Sequence, residues 1–86
     1  MFDSSTPYRL DPDVALREEP FGALAYHYGS RRLTFLRSTL LADLVRDLGT
    51  HPSVDAALAA RVPAPKQDTY RRALANLAGS GFLRAC

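Results

Sequence analysis

Hydrophobic and polar residues change rhythm twice along this chain. The first thirteen residues are polar and broken by Pro7 and Pro12, which predicts a tail that is flexible or adds one short strand through Tyr8 and Leu10. From Val14 the pattern alternates: Val14, Leu16 and Glu18 fall on one side and Ala15, Arg17 and Glu19 on the other, until Pro20 ends the run. That period of two predicts a strand. The stretch FGALAYHYGSRRLTFLRS continues the alternation on both sides of Gly29-Ser30, a pair suited to the two-residue type II′ turn of a hairpin. Counting outward pairs Tyr28 with Arg31, His27 with Arg32, Tyr26 with Leu33, Ala25 with Thr34 and Leu24 with Phe35. This register gathers Leu24, Tyr26, Leu33 and Phe35 on one face, the expected core face. Ala25, His27, Arg32 and Thr34 fall on the other. A slip of one residue would destroy the segregation, so turn and pattern agree.

The rhythm then turns helical. Ser38 is placed to cap a first helix carrying Leu40, Leu41, Leu44, Val45 and Leu48, with Gly49 at its end. Ser53 is placed to cap a short second helix with Val54, Ala57 and Leu58. Pro63 and Pro65 break the chain, and Pro65 suits the first turn of a third helix with Tyr70, Ala73, Leu74, Leu77 and Ala78 on one stripe. Gly79-Ser80-Gly81 ends it, and Phe82 and Leu83 are expected to fold back onto the core. The expected fold class is α+β, a three-stranded antiparallel sheet followed by three helices that cover one face. Residues 1–13 are the expected tail and residues 14–86 the domain.

Composition narrows this picture without redirecting it. A chain of 86 residues, 47% hydrophobic and 23% charged, is one small folded domain rather than a disordered segment. Eleven basic against nine acidic residues leave a net charge of +2, too slight and too interleaved to imply nucleic acid. No basic-then-apolar start and no run of roughly 20 apolar residues is present. A cytoplasmic protein without membrane contact is therefore expected. Cys86 is a lone thiol, so the fold does not rest on a disulfide.

Convergent chemistry is missing as well. His27 and His51 have no partners nearby in sequence, and surface positions are expected for both. No HExxH or CxxC spacing suggests a metal, and no glycine cluster opens a helix after a strand as a phosphate loop would. Glu18 and Glu19 are adjacent, so in a strand they point to opposite faces. Ser38-Thr39 fits a helix cap better than a nucleophile. No enzyme and no cofactor are expected. Binding remains. The strand from Arg31 to Leu36 would lie at a sheet edge, is apolar and proline-free, and is flanked by Arg31, Arg32 and Arg37. An extended peptide could pair with it as a further strand. A second copy could do the same across a two-fold axis, or the C-terminal segment could cover the edge.

The run LREEPFGALAYHYGSRRLTFL, the leucine-rich helix after it and the closing ALANLAGSGFL together resemble a known family. The likeness is to the precursor-peptide chaperones of the mycofactocin system, among the PqqD-like recognition elements of ribosomally made, modified peptides. It runs from about Tyr8 to Leu83 and is most specific at Glu19-Pro20-Phe21-Gly22 and from Gly29 to Leu36. The resemblance implies a winged-helix-like fold and no catalysis. It implies that a ribosomal precursor peptide binds in extended form between the third strand of the sheet and the third helix. A radical S-adenosylmethionine maturation enzyme would then decarboxylate and cross-link the peptide's C-terminal Val-Tyr pair. Any iron–sulfur cluster belongs to that partner.

Carried onto this chain, the resemblance implies a site made of Arg32, Leu33, Thr34, Phe35 and Leu36 with Tyr70, Arg71, Leu74 and Leu77. Leu33 and Phe35 are expected to support the groove from the core. Arg71 is either a donor to an acidic peptide or a solvated surface arginine, and the stripe of Tyr70, Leu74 and Leu77 suits a core as well as a groove wall. The rival reading is a winged-helix DNA-binding protein, which Lys66, Gln67, Thr69, Arg71, Arg72 and Asn76 would serve.

Overall fold

The computed structural model describes residues 1–86. The elements run β1 (Tyr8–Leu10), β2 (Val14–Glu19), β3 (Gly22–His27), β4 (Arg32–Leu36), α1 (Thr39–Asp47), α2 (Val54–Arg61), α3 (Gln67–Gly79) and β5 (Leu83–Ala85). Single 3-10 turns, Leu48–Thr50 and Ala64–Lys66, lead out of α1 and into α3. β2, β3 and β4 form one antiparallel sheet in that order. The α+β layout of three sheet strands followed by three helices is therefore the observed one. β1 and β5 add a separate antiparallel ladder that joins the two ends of the chain.

The β3–β4 register is the expected one from Leu24↔Phe35 to His27↔Arg32. The turn differs. The ladder stops at His27↔Arg32, leaving four loop residues, and the left-handed position falls on Arg31 (φ 57°) rather than Gly29. Two hydrogen bonds explain the wider loop: the Tyr28 N–H donates to the Asp13 carbonyl at 2.9 Å, and the Ser30 N–H donates to His27 Nδ1 at 3.1 Å. The Tyr28 donor that would pair with Arg31 across a two-residue turn is spent toward β2, and the bond to His27 holds the longer loop.

The faces of the sheet are reversed relative to expectation. Ala23, Ala25 and Leu36 point inward and are buried, whereas Leu33 and Phe35 point outward and are 53% and 52% exposed. The reason lies in the helices. Alanine side chains let α1 settle close to β3, and Leu44, Val45, Leu48, Leu58 and Leu74 supply the volume that the sheet does not. The outer face thus carries the rows Arg17–Leu24–Phe35 and Ala15–Tyr26–Leu33.

Serine hydroxyls cap the first two helices. The Ser38 hydroxyl accepts from the Leu41 N–H and caps α1, and the Ser53 hydroxyl accepts from the Ala56 N–H and caps α2. Two further donors of α2, the N–H groups of Val54 and Asp55, reach back to the carbonyls of Thr6 and Ser4. The N-terminal turn that presents those carbonyls is held by Asp3, whose carboxylate accepts from the Ser5 hydroxyl and N–H. Those bonds, the hydroxyl's first, lower the Asp3 pKa from its ordinary value. α3 ends in a left-handed Gly81 (φ 84°): its N–H bonds to the Ala78 carbonyl and the Phe82 N–H to that of Leu77. That turn drives Phe82 into the core, where it is 2% exposed.

His27, expected at the surface, is largely enclosed. Its ring meets Phe82 edge-on at 5.7 Å, and Nε2 lies 3.7 Å from the Asp11 carboxylate. The inversion of the sheet faces carries it inward. No helix is long and apolar enough to cross a membrane.

Candidate functional site

β4 ends the sheet, so one of its edges has no strand beside it. Such an edge presents a row of unpaired N–H and C=O groups. The C-terminal segment, which could have covered it, pairs with β1 instead. Alongside the edge runs a groove of about 370 Å³ between β4 and the C-terminal half of α3. Arg32, Leu33, Thr34, Phe35 and Leu36 line its strand side, and Ala73, Asn76, Leu77 and Ser80 its helix side. Leu41 of α1 and Phe82 complete it. Seven of its eleven lining residues are hydrophobic, and it contains neither an acid–base pair nor a nucleophile with a base. No cluster of His, Cys, Asp and Glu that could hold a metal ion is present anywhere in the chain. What the arrangement offers is hydrogen bonding along one strand and burial of side chains beside it.

The residues singled out in the sequence divide into two groups. Arg32, Leu33, Thr34, Phe35, Leu36 and Leu77 come together at this groove. Tyr70, Arg71 and Leu74 do not line it. Leu74 is fully buried beneath α3. The Tyr70 hydroxyl is 2.9 Å from Ser38 Oγ, where it ties α3 to the cap of α1. Arg71 turns away toward α2, held to Asp55 at 3.0 Å and to Asp68 at 2.6 Å. The difference between Leu74 and Leu77 is one turn of helix, which a stripe read from spacing alone does not resolve.

Sequence reasoning passed over Leu41, Ala73, Asn76, Ser80 and Phe82 as groove residues. Positions 73, 76, 77 and 80 are spaced as one helical face, so that part was readable once the bearing of α3 was known. A second opening of about 350 Å³ lies on the outer face among Phe21, Phe35 and Arg37. Phe21 meets Phe35 edge-on at 5.9 Å, and the Arg37 guanidinium sits 5.5 Å above the Phe35 ring.

Comparison with known proteins adds an independent line. Residues 7–84 match the family described as the Peptide chaperone MftB family. The chain is 45% identical to the peptide chaperone MftB of Mycobacterium tuberculosis over 83 residues, covering 95% of this chain and 76% of that protein. The Mycobacterium ulcerans protein of the same name is 46% identical over 83 residues, with the same coverage. The Mycolicibacterium smegmatis protein is 43% identical over 83 residues, covering 95% of this chain and 81% of that protein. No solved structure matches the chain.

Proposed function

This chain belongs to the MftB peptide chaperone family, and from that premise we propose that it holds a ribosomal precursor peptide as a strand added to β4 and presents it to a radical S-adenosylmethionine maturase. Its work is binding, with no catalysis of its own. The observation that carries the reading is the unpaired edge of β4 opening directly onto an apolar groove walled by α3. Main-chain hydrogen bonds to the edge supply affinity independent of side chains, and the groove supplies selection among them. Five residues of β4 extend over roughly 17 Å, enough to pair with a segment of similar length.

DNA binding gains no support from α3. Arg71 is neutralised by Asp55 and Asp68, and the Gln67 side-chain amide donates to the Val62 carbonyl. Phosphate contacts would fall to Lys66 and Arg72, few for a DNA-binding helix.

Titration of the labelled protein's amide NMR spectrum with the precursor peptide tests the reading. Perturbations concentrated in Arg31 to Leu36 and Ala73 to Phe82 are expected, and binding that changes only several-fold between 50 and 200 mM salt, where phosphate-driven DNA binding falls by roughly a thousandfold or more. An unchanged spectrum at high peptide excess, with and without the maturase, would overturn it. Self-pairing through β4 would appear instead as a concentration-dependent dimer in sedimentation, in competition with peptide.

A further inference from the structure

Resting on that strand-addition reading, we propose a second recognition surface for the same peptide: its outward side chains lie on the exposed face of the sheet, and the one opposite Phe35 is acidic, taken by the cleft among Phe21, Phe35 and Arg37. The first step is geometric. Side chains of a strand alternate between faces, so a peptide paired with β4 cannot place all of them in the groove. Those opposite Thr34 and Leu36 face α3, whereas those opposite Leu33 and Phe35 share the outer face with them, at about 5 Å between Cβ atoms.

The second step concerns what waits there. Leu33 and Phe35 are both more than half exposed on an edge strand, with Phe21 43% and Tyr28 63% exposed nearby on the same side. An edge meant only to be kept from pairing would carry charge and little else. This one carries large apolar groups, which lose water contact only when something lies across them.

The third step is charge. Elsewhere five of seven arginines pair with the chain's own carboxylates, Arg9 and Arg72 excepted: Arg17 with Glu19, Arg46 with Glu18 and Asp43, Arg61 with Asp47, Arg71 with Asp55 and Asp68, Arg84 with Asp11. Arg31, Arg32 and Arg37, which bracket β4, are absent from these pairs. Arg37 lays its guanidinium over Phe35, which leaves the N–H groups at its rim free to donate. A Glu or Asp side chain fits this cleft in both of its parts, its methylenes on the two rings and its carboxylate on the arginine. Arg32, on the face of Thr34 and Leu36, belongs to the groove and takes no part in this cleft.

The test measures affinity of the precursor peptide, and of versions with each Asp or Glu changed singly to Asn or Gln, for the wild-type protein, Arg37→Gln, Leu33→Ser and Arg72→Gln. Arg37→Gln is expected to weaken binding roughly two- to five-fold, the range of an exposed ion pair. One acidic peptide position should lose its effect in that variant alone, and Leu33→Ser should also weaken binding. Arg72→Gln, an exposed arginine on α3 outside the groove, should bind as wild type. Wild-type affinity in Arg37→Gln, or equal coupling of all acidic positions to it, overturns the proposal. A peptide N-methylated at alternate backbone amides separates the two ideas. Lost binding on methylation with no effect of Arg37→Gln leaves strand addition standing and removes the acidic subsite. Unchanged binding on methylation removes strand addition itself, and the subsite with it.

Discussion

Gly22 is the residue on which the geometry of the sheet turns. It sits at φ 145°, and a Cβ there would come 2.1 Å from the Leu36 carbonyl oxygen and 2.8 Å from the Ser38 backbone. The start of β3 therefore lies directly against the junction through which β4 passes into α1. Only glycine tolerates both the dihedral and the approach. Gly22→Ala is expected to cost roughly 3 kcal/mol or more, through backbone strain and displacement of that junction. A lower midpoint of urea unfolding with an unchanged slope would verify it. The Pro20-Phe21-Gly22 corner was legible as distinctive in the sequence, but the reason was not. The two backbones that meet at Gly22 are separated by more than a dozen residues, and no local pattern reports such a contact.

Among the elements, the link between α1 and α3 decides how the groove is held open. Ser38 caps α1 with the same hydroxyl that lies 2.9 Å from the Tyr70 hydroxyl, so one side chain ends a strand-to-helix corner and anchors the opposite wall. Ser38→Ala should therefore cost about 1–2 kcal/mol, losing the cap and leaving a half-buried tyrosine hydroxyl without its partner. Tyr70→Phe should cost less, about 0.5–1 kcal/mol, because the cap survives. Chemical unfolding of both single variants and the double variant would reveal the coupling as a deficit from additivity. The cap itself was readable from Ser38 preceding a leucine-rich run. Its second partner, 32 residues away, was not. Tyr70 belonged to a stripe at helical spacing, and spacing does not distinguish a residue that touches a ligand from one that braces the wall behind it.

Across the whole molecule, stability and recognition draw on different apolar residues. Leu74 lies in the common core with no exposure, whereas Phe35 stands half exposed on the outer face. Leu74→Ala is expected to cost about 2–5 kcal/mol by opening a cavity. Phe35→Ser should change stability by no more than about 1 kcal/mol, since it empties no interior space, while weakening peptide binding. Thermal unfolding of the two variants beside their peptide affinities would display the separation. A Phe35→Ser protein as unstable as Leu74→Ala would mean that the outer face is part of the folded core.

The β1–β5 ladder, which joins the two ends of the chain, needed the tertiary structure, but local periodicity by itself determined the three sheet strands and three helices, the caps of α1 and α2, the β3–β4 register and the edge position of β4. Each of these follows from side-chain spacing and backbone geometry within a few residues, which the chain carries wherever it is placed. The resemblance in the run from Leu16 to Leu36 carried the family. Which face of the sheet meets the helices was decided only by packing. The alternating pattern offered two faces, one of leucine and aromatic side chains and one with alanines. The bulkier face was the natural choice for a core when the sheet is considered alone. Helices rich in leucine reverse that choice, because the volume they bring is best accommodated over Ala23 and Ala25. The same inversion leaves Leu33 and Phe35 outside and encloses His27, while the packing of α3 beside α2 brings Arg71 to Asp55 and Leu74 into the core. Whether a stripe on α3 bounds a groove or fills a core depends on the direction from which its neighbours arrive, and only the tertiary structure contains that direction.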